Sequence, residues 1–357
     1  MAKYLLIFVF LFSGLGAGYA QAISMQQDST LNNLVLANGT ITCKTGEAGK
    51  INKTGKGKQS IILIAGFGFG EAELRPLITH LEDNYTLYTI TPAGFASTPP
   101  PSIPDSSVKY SELTWTRGIV KSILQLIQTE KLIKPCIIAH FVIATQAALI
   151  LESDYPDKIG KVIIISGSPY RYYASQQNGL WTDWEHEYKL SPAQRENLVE
   201  KYWAPEWFKT ITKKTWDENM WTPEDYCSDK NTGEAIFNSS AAVPVQVMIR
   251  YILEWMAYDP GENYKRITTP TLLLIPDFKN IFTVADSADT ATCKKANAKQ
   301  YLNYFHQQSW QDVMSSGNPA FHFQKISNTG IFMWLDNPEQ TFQSIDAFLN
   351  KQHKKSE

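Results

Sequence analysis

The chain has 357 residues, 43% of them hydrophobic and 12% aromatic, with a formal net charge of −2. A chain of this size buries roughly 75% of the surface it exposes when unfolded, so one large globular domain, or one domain with an insertion, is expected and wholesale disorder is excluded. The charge is spread along the chain apart from a short His353-Lys354-Lys355 run in the tail, which leaves no basic stripe for nucleic acid.

Lys3, the stretch YLLIFVFLF and Ala20-Gln21-Ala22 follow one another as positive start, apolar segment and small-residue cleavage site, the order of an export signal. The apolar segment is shorter than the ~20 residues that span a bilayer. Residues 1–22 are therefore read as a cleaved signal, with a periplasmic or extracellular mature protein and no stable membrane span after cleavage. Four cysteines, Cys43, Cys136, Cys227 and Cys293, stand far apart with no CxxC spacing, so pairing is not readable. Cys136 opens an apolar run and reads as a small buried hydrophobe.

Next comes NLVLANGTITCK, two alternating runs joined by Asn38-Gly39, which predicts a hairpin. SIILIAGFGFG then gives a continuous apolar strand ending in glycines, and TLYTITP, CIIAH, KVIIISG and PTLLLIP repeat the type, with FQKIS a weaker last strand. Continuous apolar runs fit strands covered on both faces, as in parallel sheets. Helical stretches, notably WTRGIVKSILQLIQTEKL and ATQAALILESDY, separate most of them. The alternation predicts an α/β fold, a doubly wound and mostly parallel sheet of about eight strands, with the site in loops at the strand C-terminal ends.

The rhythm breaks after Pro169. Residues 170–265 show no strand pattern and are predicted to form an inserted helical lid between two parts of the core, 23–169 and 266–351, with 352–357 a tail. Ser191-Pro192-Ala193-Gln194 and Thr222-Pro223-Glu224-Asp225 each have a helix N-cap, a first-turn proline and a capping-box partner. VQVMIRYILEWMAY is a largely apolar helix. Seven of the ten tryptophans fall in this insertion, Trp181, Trp184, Trp203, Trp207, Trp216, Trp221 and Trp255, either packing lid on sheet or lining an aromatic pocket.

In order and spacing these segments resemble the α/β-hydrolase family from about Lys58 to Lys351. IILIAGFGFG is similar to the strand and loop that contribute an oxyanion-hole amide, with Ala65 in place of His. YTLYTITPAGFASTPPP matches the segment in which Gly94-Phe95 and Ser97 align, and SDYPDKIGKVIIISGSP matches the stretch after the nucleophile. PTLLLIPDFKNIF and ISNTGIFMWLDNPEQTFQSIDAFL resemble the segments that bring the acid and the histidine.

The resemblance implies a Ser-His-Asp triad converging from separate loops. Here the Gly-x-Ser-x-Gly elbow reads Ala139-His140-Phe141-Val142-Ile143, and a phenyl ring offers neither nucleophile nor proton. The acid position falls on Lys279 or Asn280, and the histidine position on Ile331. The elbow is expected to be relaxed, or strained and held by packing. Ligand contacts are expected from Phe67, Gly68, Phe141, Val142 and Ile331, with the Phe67 and Val142 amides available to a carbonyl oxygen. A relocated triad would draw on His140, Asp277, His322, Ser166 or Ser168. His140 is expected to point beneath the elbow, Asp277 to be a solvated or turn-forming carboxylate, and His322, at the start of the last strand, to lie about 20 Å away. No histidine is placed to activate the serines.

The six histidines are dispersed without ligand spacing and GFGFG lacks the third glycine of a dinucleotide loop, so no metal and no cofactor are expected. The leading reading is an exported pseudo-hydrolase that binds a small apolar or carbonyl-containing molecule. The alternatives are an esterase-like or lipase-like hydrolase, or a non-hydrolytic enzyme, using non-standard residues, and an interaction protein with a filled cavity. Oligomeric state is open.

Overall fold

The computed structural model describes residues 34–37, 40–43, 49–169, 191–219, 221–278 and 306–351. Among these residues nine strands form one sheet: β1 (Leu34–Ala37), β2 (Thr40–Cys43), β3 (Lys50–Thr54), β4 (Gln59–Ile64), β5 (Tyr85–Thr91), β6 (Cys136–His140), β7 (Lys161–Ile165), β8 (Thr271–Asp277) and β9 (Phe321–Ser327). Their order is β1-β2-β3-β5-β4-β6-β7-β8-β9. The hairpin around Asn38-Gly39 pairs Ala37 with Thr40 and continues antiparallel through β3 to β5; from β5 onward every neighbouring pair is parallel. The central runs are apolar throughout because helices cover both faces, and β6 is buried at all five positions.

The helices are α1 (Arg75–Leu81), α2 (Thr114–Thr129), α3 (Ile143–Asp154), α4 (Pro192–Leu198), α5 (Ala204–Thr210), α6 (Lys213–Asn219), α7 (Pro223–Tyr226), α8 (Lys230–Ala241), α9 (Val245–Ala257), α10 (Gln311–Ser315), α11 (Met333–Asp336) and α12 (Pro338–Asn350). Helices α4 to α9 fall between β7 and β8, within the stretch expected to be helical. Both predicted capping boxes are formed, at Ser191 with Gln194 and at Thr222 with Asp225. A π-helical turn, Val199–Trp203, joins α4 to α5. Among the described residues no single helix is long and apolar enough to cross a membrane, and α8 and α9 meet at 93°.

Helix α9 ties this layer to the core through one carboxylate. Glu254 is fully buried and accepts from the backbone N–H groups of Trp115 and Thr116, at 3.0 to 3.1 Å, in the first turn of α2. Those N–H groups have no partner within their own helix, and the positive end of the helix dipole favours the acid there. Arg250, one turn back on α9, completes the pairing at 3.2 Å and lies over the Tyr110 ring at 4.1 Å.

Candidate functional site

The parallel strands deliver their C-terminal ends to one rim, and β6 ends there at His140. The chain then turns through Phe141 (φ +61°) and Val142 (φ +45°, ψ −104°) into α3. Two successive non-glycine residues with positive φ, the second β-branched, make a strained turn. Neighbours hold it in place. The Phe141 amide donates to the Ile165 carbonyl on β7 at 3.0 Å, and both side chains are fully buried. Of the two expected conformations, strained and held by packing is the one present.

The glycine loop after β4 presses on this turn from the other side. A Cβ at Gly66 would lie 2.7 Å from the His140 carbonyl, so only glycine fits so close an approach. Gly68 combines φ +87° with a neighbour, Ser240 Oγ, 2.5 Å from where its Cβ would be. The insertion therefore sits directly on the loop.

The positions singled out in the sequence converge under aromatic cover. Phe141 meets the Trp221 indole at 4.9 Å. Phe67 meets the same indole at 5.8 Å and Trp216 at 6.3 Å. Ile331 is buried, its amide donating to the Asp225 carbonyl at 3.0 Å. Lys279 and Asn280 lie outside the described residues, as do residues 1–22, Trp181, Trp184 and Cys293.

His140 lies beneath the elbow, packed against Phe332 at 4.6 Å and Trp334 at 4.8 Å. Its Nε2 bonds the Ile331 carbonyl at 3.2 Å; a carbonyl only accepts, so the proton is on Nε2. Burial pushes its pKa down to about 3, against the pull of that hydrogen bond. Ser166 Oγ donates to the same carbonyl at 2.6 Å. The two thus share an acceptor and pass no proton between them, and the pairing a relocated serine nucleophile needs is not made here. Ser168 Oγ instead donates to Ser309 Oγ at 3.1 Å. Asp277 ends β8, its carbonyl accepting from the Thr329 amide. His322 pairs with Leu272 at the opposite end of β8 from Asp277, away from the elbow.

One residue of the site escaped the sequence reading. His306 is fully buried, its ring stacked on Phe141 at 6.0 Å and 24° and meeting Phe278 at 5.4 Å. It stands between the elbow and Phe278 at the end of β8. Burial drives its pKa down to about 3, and contact with the Gly167 and Ser166 backbone offsets only part of that fall. It precedes QSW in a stretch without periodicity, and the one available signal was a histidine amid aromatics.

Asp336 fastens the insertion to the loop that carries Ile331. Its carboxylate accepts from the amides of Gly330 (2.7 Å) and Ser228 (2.8 Å), the Ser228 hydroxyl (2.6 Å) and the Cys227 thiol (3.2 Å). Phe332 adds a backbone bond to the Tyr226 carbonyl at 3.0 Å.

The sheet order, the strained strand-to-helix turn after β6 and the helical insertion after β7 define an α/β-hydrolase fold. Comparisons with solved structures agree. An esterase from Exiguobacterium antarcticum superposes with a TM-score of 0.57 at 14% identity, over 85% of this chain and 96% of that one. A serine hydrolase from Cycloclasticus zankles gives 0.56 at 12%, over 88% and 96%, and a hydrolase from Oleispira antarctica 0.55 at 17%, over 86% and 97%. At these identities the likeness is one of fold. No protein-family model and no curated sequence matches the chain.

Proposed function

We propose that this is an exported α/β-hydrolase-fold protein that carries out no triad hydrolysis and binds a small ligand with apolar surface. The observation that carries the reading is Phe141. A fully buried phenyl ring occupies the tip of the elbow, closed over by Trp221, where the fold's hydrolases present a nucleophile. Around it the two neutral imidazoles are engaged with backbone and rings. The ligand is assigned to the insertion side of the Gly66–Gly70 loop, lined by Trp216, Trp221 and Tyr226, instead of to the elbow floor. Export rests on the Lys3, YLLIFVFLF and Ala20-Gln21-Ala22 order.

The test is a fluorophosphonate probe on the purified protein. No serine is expected to react; stoichiometric labelling of any serine overturns the non-catalytic reading. Secretion is tested separately, by the N-terminal residue of the mature protein, expected directly after Ala22.

A further inference from the structure

One side of the insertion presents rings and lysines together to solvent. Helix α4, the π-helical turn and α5 follow one another as one helical stretch, from Pro192 to Thr210, and residues three, four and seven apart share a side of a helix. Lys201, Tyr202, Pro205, Phe208 and Lys209 have that spacing and are all exposed, Tyr202 at 61% and Phe208 at 43%. Val199, Trp203, Ala204 and Trp207 on the opposite side are buried, the two indoles stacked at 6.0 Å. That packing fixes the rotation of the helix and keeps the outer rings in water.

The acids of the same stretch are turned the other way. Glu196 accepts from Lys109 Nζ at 2.7 Å and Ser111 Oγ at 2.9 Å, and Glu200 accepts from the Tyr110 amide, so both face the connection between β5 and α2. Glu206, the remaining acid, is half-buried one turn from Tyr202. Lys214 on the next helix is exposed as well. Charge is therefore sorted, with two carboxylates toward the body and the ammonium groups toward solvent. Rings flanked by lysines match the boundary layer of an anionic bilayer, where aromatic side chains sit at headgroup level and lysine stems lie along apolar surface while their ammonium groups reach phosphates. A second copy of the chain would bring lysine against lysine, which disfavours self-association through this side.

We infer that this side of the insertion docks peripherally on an anionic phospholipid surface, with Tyr202 and Phe208 entering the headgroup layer and Lys201 and Lys209 facing lipid phosphates. The contact lies on the membrane and does not span it. It goes beyond the binder reading, since it depends neither on the elbow nor on a cavity.

Co-sedimentation of the full chain with vesicles tests the idea, using phosphatidylcholine and phosphatidylglycerol in equal parts against phosphatidylcholine alone. Partition onto the mixed vesicles is expected to be about tenfold or more stronger and to fall as salt is raised. Lys201→Gln and Lys209→Gln are each expected to weaken it about fivefold, the contribution of one lysine at such a surface. Tyr202→Ser with Phe208→Ser is expected to weaken it about tenfold. These positions are exposed, and an unchanged thermal midpoint verifies that each variant folds. Equal partition onto the two kinds of vesicle, no sedimentation with either, unchanged partition of the lysine variants, or unchanged partition of the ring variant each overturns the inference; no sedimentation with either would leave this side to a protein partner.

Discussion

Phe141 and Trp221 meet edge to face, ring centroids 4.9 Å apart and planes inclined at 73°, so the tip of the elbow is covered by a side chain from the helical insertion. Aromatic pairs in this arrangement contribute beyond the area they bury. Trp221→Ala is expected to destabilise the protein by about 3–5 kcal/mol, the usual cost of emptying a buried aromatic site. Urea unfolding of the variant against wild type measures it.

Replacing Phe141 by serine is expected to produce no hydrolase by itself. The imidazoles nearest the turn, His140 and His306, both have pKa values pushed down to about 3, and so weak a base accepts a hydroxyl proton poorly at neutral pH. Fluorophosphonate labelling of Phe141→Ser should therefore stay at background. Measurable labelling is expected only when Ile331→His and Asn280→Asp or Lys279→Asp are added.

The same two histidines predict acid sensitivity. Their folded pKa values lie below the ordinary 6.5, so the unfolded chain takes up protons first. Their contribution to stability is complete above pH 6.5 and is lost as pH falls from there toward 3, with a slope approaching about 1.4 kcal/mol per unit for each histidine. Urea midpoints measured from pH 7 to pH 4 should fall, and His306→Phe should flatten the fall.

Glu152 works in the opposite direction. Its carboxyl is fully buried on α3 against the Thr271 hydroxyl, and burial raises its pKa to about 8. The folded protein keeps the proton while the unfolded chain releases it above 4.5, so stability declines as pH rises from 4.5 to 8 and the loss is complete above that. Glu152→Gln, neutral at every pH, is expected to be more stable than wild type at pH 8 to 9 and indistinguishable near pH 4.5, as read from thermal midpoints across that range.

Asp336→Ala removes one carboxylate with four donors on it. About 2–4 kcal/mol of stability is expected to go, since the Gly330 and Ser228 amides lose a charged acceptor. Hydrogen exchange at these two amides should accelerate more than exchange at the β6 and β7 amides, which depend on the sheet alone.

What the sequence disclosed and what it withheld divide along a physical line. All the strands but β3, the two capping boxes, the hairpin and the elbow were legible because each is encoded by neighbours in the chain: a continuous apolar run, a serine three residues before a glutamine, an Asn-Gly pair; β3, Lys-Ile-Asn-Lys-Thr, has one apolar residue and reads as a loose Gly- and Lys-rich segment, so the sheet has nine strands instead of about eight. His140 could be placed beneath the turn because alternation at a strand end fixes its direction. His306 and Asp336 could not be read, because their roles come from partners 165 residues before one (Phe141) and 109 before the other (Cys227), brought together only by the sheet. Trp221 was marked as one of seven tryptophans in the insertion, yet nothing local separated the one that covers Phe141 from those that pack elsewhere.

The turn at Phe141 and Val142 has a cause that lies in the sheet. It keeps an unfavourable backbone at a tip whose side chain is a phenyl ring, with neither nucleophile nor transferable proton. Its shape is dictated by where β6 stops, by the amide that Phe141 lends to Ile165 and by the start of α3, all of which belong to the sheet's architecture. In this chain the sharp elbow is therefore a property of how the strand is spliced to the helix, and its shape is held without a nucleophile at its tip.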